Sequence, residues 1–252
     1  MAELILPDSR LETPSLFYPK RKPVGKVKID WGHPLARGLT LCLLMQGNTV
    51  IDLVTGRKAT LFGNADWIPD GIHFDEVNSY FTVPEVRFDS KFTISWNATP
   101  DDNDGALYQY LLSTGAYGSA NSINILLNED SQGADAGKLS IVGDNGADSA
   151  ILKTALLYPA LSAKDCSFKA NARDVELFTG GKSAGSINQW GGTTPPIADN
   201  TIKTLYVGAR VDLNVDRMYG GSMRYVFIHD HDLADSKIQR LHANPYQFII
   251  PE

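Results

Sequence analysis

The stretch that decides the fold runs from Thr201 to Tyr246: TIKTLYVGARVDLNVDRMYGGSMRYVFIHDHDLADSKIQRLHANPY. It reads as strand, loop, strand and then one short helix. Leu205 and Val207 alternate with Tyr206 and Gly208, the two-residue period of a strand with unlike faces. The turn region Tyr219-Gly220-Gly221 leads into Ser222–Ile228 (SMRYVFI), which is apolar at nearly every position. A strand apolar on both faces belongs at the centre of a sandwich, not at its edge. Beyond it Leu233, Ile238 and Leu241 fall at helical spacing and can close a core like a lid.

The rest of the chain agrees. Leu39–Met45 (LTLCLLM) is an apolar run, and Ile72, Phe74, Tyr80, Phe81 and Val83 mark a pair of strands. In FTISWNATP, Phe92, Ile94 and Trp96 line one face. YQYLLSTG, INILLN, KLSIVGD and ALLYPAL read as strands separated by Asp/Asn/Gly loops. DVELFTGGKSAGSINQW reads as a hairpin about Gly180-Gly181, and Asp52, Thr55 and Gly56 as a tight turn in which Gly56 can take positive φ. Long helical patterns are absent, so the class is all-β. Trp67 and Trp96 read as core.

With 252 residues the chain can bury a sizeable core as one sandwich. A formal net charge of −6 argues against a nucleic-acid partner, which would call for a basic stripe. Cys42 sits in an apolar run and reads as a buried thiol; a bridge to Cys166 is the alternative. The first residues have no basic n-region followed by a long apolar run, so no signal peptide is expected. No apolar run reaches membrane-spanning length, so no membrane insertion is expected.

Residues 1–28 differ from the rest. Pro7, Pro14, Pro19 and Pro23 favour extended backbone, and Lys20, Arg21, Lys22, Lys26 and Lys28 make the segment basic. Leu4, Ile5, Leu6, Phe17 and Tyr18 add apolar anchors that a solvated linker has no use for. The expectation is an extended N-terminal arm, 1–28, whose anchors are Leu4, Ile5, Leu6, Phe17, Tyr18, Lys20, Arg21 and Lys22, followed by a β-sandwich over 29–252.

Three groups of residues carry a resemblance. One is Ile29-Asp30-Trp31, Pro34-Leu35 and Gly38-Leu39 at the start. The second is Asp52, Thr55 and Gly56 with the later GIHFDEVNSYFTVPE. The third is Gly221, the strand through Ile228, Leu233, Ile238, Leu241 and Pro245 at the end. Together they resemble a concanavalin A-like (laminin-G-like) jelly-roll domain of the kind found among bacteriophage virion proteins. The family's capping box is replaced by Ala234 and Lys237, which weakens the helix start unless Asp235 caps it. The resemblance implies a non-enzymatic virion structural protein, a capsid decoration or tail accessory assembled in the host cytoplasm. Its arm would bind other virion proteins, and homo-oligomers would suit the particle. The alternatives are a carbohydrate-binding adhesion module for a surface glycan and, less favoured, a glycan hydrolase of the same fold.

Candidate chemistry is sparse. Glucanases of this fold class carry E-x-D-x-x-E on one strand; here only Asp75-Glu76 and the pair Asp174 and Glu176 come near. The resemblance implies a rim calcium, for which Asp101, Asn103 and Asp104 are candidates, although the loop lacks an EF-hand Glu and turn chemistry explains it equally well. His229 and His231 could begin a zinc site but lack a third ligand. Gly181-Lys182-Ser183 lacks the earlier glycine of a P-loop. A Ser-His-Asp triad stays open on composition. Tyr117 and Trp190, on Gly-rich loops, are candidate stacking platforms for sugar rings.

Overall fold

The computed structural model describes residues 22–23, 25–46, 49–69, 71–101, 108–128, 137–147, 149–157, 161–188, 190 and 197–252. In chain order the strands are β1 (Val27–Ile29), β2 (Leu39–Gln46), β3 (Thr49–Asp52), β4 (Thr60–Phe62), β5 (Asp66–Ile68), β6 (Gly71–Asp75), β7 (Tyr80–Phe88), β8 (Lys91–Pro100) and β9 (Tyr108–Ser113). They continue as β10 (Ser122–Asn128), β11 (Lys138–Asp144), β12 (Ser149–Leu157), β13 (Lys164–Asn171), β14 (Asp174–Thr179), β15 (Lys182–Ile187), β16 (Thr201–Val207), β17 (Gly220–His229) and β18 (Ile249–Pro251). One α-helix, α1 (Asp235–Ala243), precedes β18.

Two antiparallel sheets stack face to face. One has the order β12-β11-β10-β9-β16-β7-β4. The other runs β15-β14-β13-β8-β17-β2-β3, with β6 also on β17 and β5 on β6. The fold is therefore an all-β jelly-roll sandwich of the concanavalin A-like type. The expected strands are present, with one shift: the run predicted over ALLYPAL belongs to a strand that starts earlier, at Ser149.

The centre lies where the sequence pattern places it. β17 pairs with β2 on one side and β8 on the other. Its Val226 and Ile228 enter the inter-sheet core beside Phe92, Ile94 and Trp96 of β8. Tyr225 and Phe227 point the other way, into a second apolar cluster. That cluster holds Val27, Ile29, Leu35, Leu39, Leu44, Leu241, Phe248 and Ile249. The segments around β1 and β18 thus seal the outer face of the β17 sheet, which is why β17 has no polar face. Each such buried side chain contributes about 1.5–3 kcal/mol of transfer free energy.

Cys42 lies in this outer cluster and Cys166 in the inner core. Opposite faces of one sheet keep them apart, and both are buried thiols outside any disulfide. Burial pushes the Cys42 thiol up, with Asp52 adding to it.

The expected boundary at residue 28 is corrected. Val27–Ile29 pairs with Ile249–Pro251, so the sandwich begins before Ile29. Lys22 is also attached to the body, its Nζ donating to Met45 O at 2.7 Å. Leu4, Ile5, Leu6, Phe17, Tyr18, Lys20 and Arg21 lie outside the described residues. The opening motif forms the turn ahead of β2: Asp30 N–H donates to Phe248 O at 2.9 Å and Leu35 is buried, whereas Trp31 is exposed. Trp67, expected in the core, is half-buried. The helix start has no side-chain cap; Asp235 instead pairs with Lys169 of β13.

The tight turn after β3 is built on Asp52. Its carboxylate is buried and accepts from Cys42 N at 2.9 Å, Val54 N at 3.1 Å and Thr55 Oγ1 at 2.5 Å. Gly56 follows with φ of 73°.

Candidate functional site

Among the described residues, the outer face of the sheet containing β9–β12 has no covering cluster like that of its partner. Along β10, Ile123, Ile125 and Leu127 enter the core, so Leu126 faces outward. Register then assembles a row across four strands: Tyr110 opposite Leu126, Leu126 opposite Ser140, and Ser140 opposite Lys153. Beside it a second row runs Ser113, Asn124, Val142, Ile151. Tyr110, Leu126 and Val142 form a small buried cluster with Tyr108 against it.

Two loops raise walls around this floor. Arg210 and Arg217 come from the segment between β16 and β17, and Tyr117 from the turn between β9 and β10. The result is a recess of about 370 Å³ lined by these residues and by Ile151 and Lys153. Arg210 is fixed. Its Nε donates to Asp212 Oδ1 at 2.8 Å, a second N–H reaches Oδ2, and its guanidinium lies 5.4 Å from the Tyr110 ring centre. Asp212 raises the Arg210 pKa further and is itself held below the usual carboxylate range by that hydrogen bond. Arg217 ends a 3₁₀ turn, Val215–Arg217, whose start is capped by Asn214 accepting from Asp216 N at 3.0 Å. Asn124 is wholly buried, its Oδ1 accepting from Ser113 Oγ at 2.7 Å, while its Nδ2 has no partner among the described residues.

The same outer face carries an aromatic strip farther along. Phe62 and Tyr80 stack at 4.7 Å, and Tyr80 and Tyr206 at 6.3 Å.

Of the two predicted stacking residues, Tyr117 is 53% exposed and lines the recess. Trp190 is corrected: it is 1% exposed and packs edge-on to Phe168 at 5.4 Å. Gly143 makes room for it, since a Cβ there would meet the Trp190 ring at 2.2 Å. Tyr108, Tyr110, Lys153, Arg210 and Arg217 were not singled out from sequence. The outward position of Tyr108 and Tyr110 in an otherwise apolar run was the available signal.

The other candidates resolve into structural contacts. Glu176 pairs with Lys169 at 3.1 Å, and Asp174 is exposed at a hairpin end. Asp75 accepts from Ser79 Oγ at 2.6 Å and from three backbone N–H groups. Desolvation would raise its pKa, but Ser79 and those backbone donors win and hold it at about 2. Asp101 meets His73 Nε2 at 2.7 Å; Asn103 and Asp104 lie outside the described residues. No group of three metal-ligating side chains occurs among the described residues. His229 is buried with Nε2 on Leu35 O at 2.8 Å. Gly180 and Gly181 turn the β14–β15 hairpin, in place of a phosphate loop.

A Ser-His pair is present, beneath α1. Gly181 N–H donates to His242 Nδ1 at 2.7 Å, so the neutral ring carries its proton on Nε2 and donates to Ser167 Oγ at 2.8 Å. A general base must accept the serine proton, and this ring does the reverse. Both residues are buried.

No family model matches the chain, and no curated protein does. Solved structures share the fold. A Trypanosoma rangeli sialidase in complex with 2,3-difluorosialic acid matches with a TM-score of 0.62 at 15% identity, over 84% of this chain and 33% of the sialidase. The binding domain of Paraclostridial Mosquitocidal Protein 1 matches at 0.65 and 16%, over 82% of this chain and 52% of that one. The binding domain of botulinum neurotoxin DC in complex with SialylT matches at 0.61 and 14%, with the same coverage of 82% and 52%. This chain therefore spans a third to a half of those proteins, and the likeness is one of β-sandwich fold.

Proposed function

We propose that this chain is a non-enzymatic glycan-binding sandwich carried on a larger particle. The observation that supports it most is the recess on the outer face of the β9–β12 sheet. Its volume, about 370 Å³, suits a sugar unit, and pockets of this size hold small ligands. The Tyr117 ring can stack on the C–H face of a pyranose, while tyrosine hydroxyls, Ser140 and the cations meet its oxygens. One neighbour, matched over 52% of its length, is a toxin binding domain in complex with SialylT, which supports testing sugars as ligands. The absence of hydrolysis is supported by Glu176 being tied to Lys169 and by the donor role of His242 toward Ser167.

The setting we infer is a bacteriophage virion, as capsid decoration or tail accessory. It is supported by the motif Ile29-Asp30-Trp31, Pro34-Leu35, Gly38-Leu39 and by the proline-punctuated basic segment before it. In that setting the N-terminal segment binds other virion proteins and the sandwich is displayed as an oligomer.

Binding of the purified protein to a panel of immobilised neutral and charged glycans tests the sugar reading. Tyr117→Ala should weaken the bound glycan about tenfold, the order expected for one aromatic platform. No binding to any glycan, or binding unchanged in the variant, overturns it.

A further inference from the structure

We propose that the recess selects an anionic sugar, one bearing a carboxylate or a sulfate. This rests on the glycan-binding reading above and adds the ligand class. Three cations, Lys153, Arg210 and Arg217, line the recess, and no carboxylate is among its described lining residues. Such a concentration of positive charge stands out in a chain whose formal net charge is −6. Asp212 compensates Arg210, so Arg217 and Lys153 are what make the lining positive beyond a neutral sugar's needs, and a field of that sign in a partly enclosed recess favours an anion.

The three cations have different roles. Arg210 is committed to Asp212 and roofs the Tyr110 ring, so it shapes the wall. Arg217 is placed by the 3₁₀ turn, and its charge helps depress the Asp212 carboxyl, so its field reaches into this corner. Lys153 stands across the floor, at the far end of the row from Tyr110. An anionic group seated between Arg217 and Lys153 would leave its ring over Leu126 and Val142, with Tyr117 at the mouth. A planar guanidinium can donate two parallel hydrogen bonds to a carboxylate or sulfate, which gives direction as well as charge.

The test uses the full chain and three probes: an oligogalacturonate, the same oligosaccharide with its carboxyl groups reduced to alcohols, and a sulfated galactan oligosaccharide. Binding is measured by calorimetry at low and at high salt. Preference for one or both charged probes over the reduced one by at least about tenfold is expected, weakening as salt rises. Arg217→Gln and Lys153→Met, both on the surface of the recess, should each remove most of that preference, with Tm within a degree or two of wild type. The carboxylate and sulfate arms separate the two sources of charge. Equal binding of charged and reduced probes, or a preference that survives both substitutions, refutes the anionic inference and leaves the sugar site standing. Failure to bind any of the three probes, with a neutral glycan bound on the panel, refutes the anionic inference alone. Failure on the panel as well refutes both.

Discussion

His229 sets a measurable pH dependence of stability. It ends β17 with its ring fully buried, Nε2 donating to Leu35 O and Nδ1 without a partner among the described residues. Burial pushes its pKa down from 6.5 to about 4, against a smaller upward pull from the Leu35 hydrogen bond. The charged groups facing it act in both directions: His231 and Lys237 lower the pKa further and Asp230 raises it. The unfolded chain therefore takes up this proton near pH 6.5, whereas the folded chain resists until about pH 4. Between those values the unfolded state binds more protons, so stability falls as pH falls. The separation of about 2.5 pH units, at about 1.4 kcal/mol per unit, amounts to about 3 kcal/mol, fully present above pH 7 and lost by about pH 4. His229→Gln keeps an N–H for Leu35 O and removes the titration. Urea unfolding followed by tryptophan fluorescence from pH 7.5 to 4.5 should show wild type losing about 2–3 kcal/mol more than the variant over that range. Titration of the carboxylates is common to both and cancels. Parallel stability curves for the two proteins would refute the reasoning.

Asp52→Ala removes the acceptor of Cys42 N, Val54 N and Thr55 Oγ1 at a buried site, so chemical denaturation should register a loss of about 2–3 kcal/mol. On the virion setting proposed above, deleting residues 1–21 should leave a folded sandwich, because β1 and the Lys22 contact to Met45 remain, while incorporation into particles is lost. Normal incorporation of the truncated protein into particles would sink the arm's role.

Much of the fold was legible because it rests on local patterns. β17 announced its central place by being apolar on both faces, and the structure gives each face its own cluster. The Asp52–Gly56 turn and the Gly180-Gly181 hairpin followed from residues whose conformational needs are their own. Trp190 was misread because a tryptophan on a Gly-rich loop looks solvent-facing. Its burial depends on Gly143, a residue of β11 much earlier in the chain. Likewise the boundary at residue 28 missed β1, a strand of three residues that exists only through its pairing with Ile249–Pro251.

Alternation along each strand was enough to establish an all-β sandwich, its central strand and the closing helix, since the two faces of a strand are written in neighbouring residues. The recess was not written that way. Tyr110, Leu126, Ser140 and Lys153 lie on four separate strands, and the shift of register between Ile125 and Leu126 decides that Tyr110 stands opposite Leu126. Which sheet has its outer face covered by described residues was likewise decided only in three dimensions, when the segments around β1 and β18 packed over one sheet while Tyr108, Tyr110 and their cationic neighbours lined a recess on the other. Periodicity is a property of adjacent residues; register and coverage arise from contacts between residues far apart in the chain.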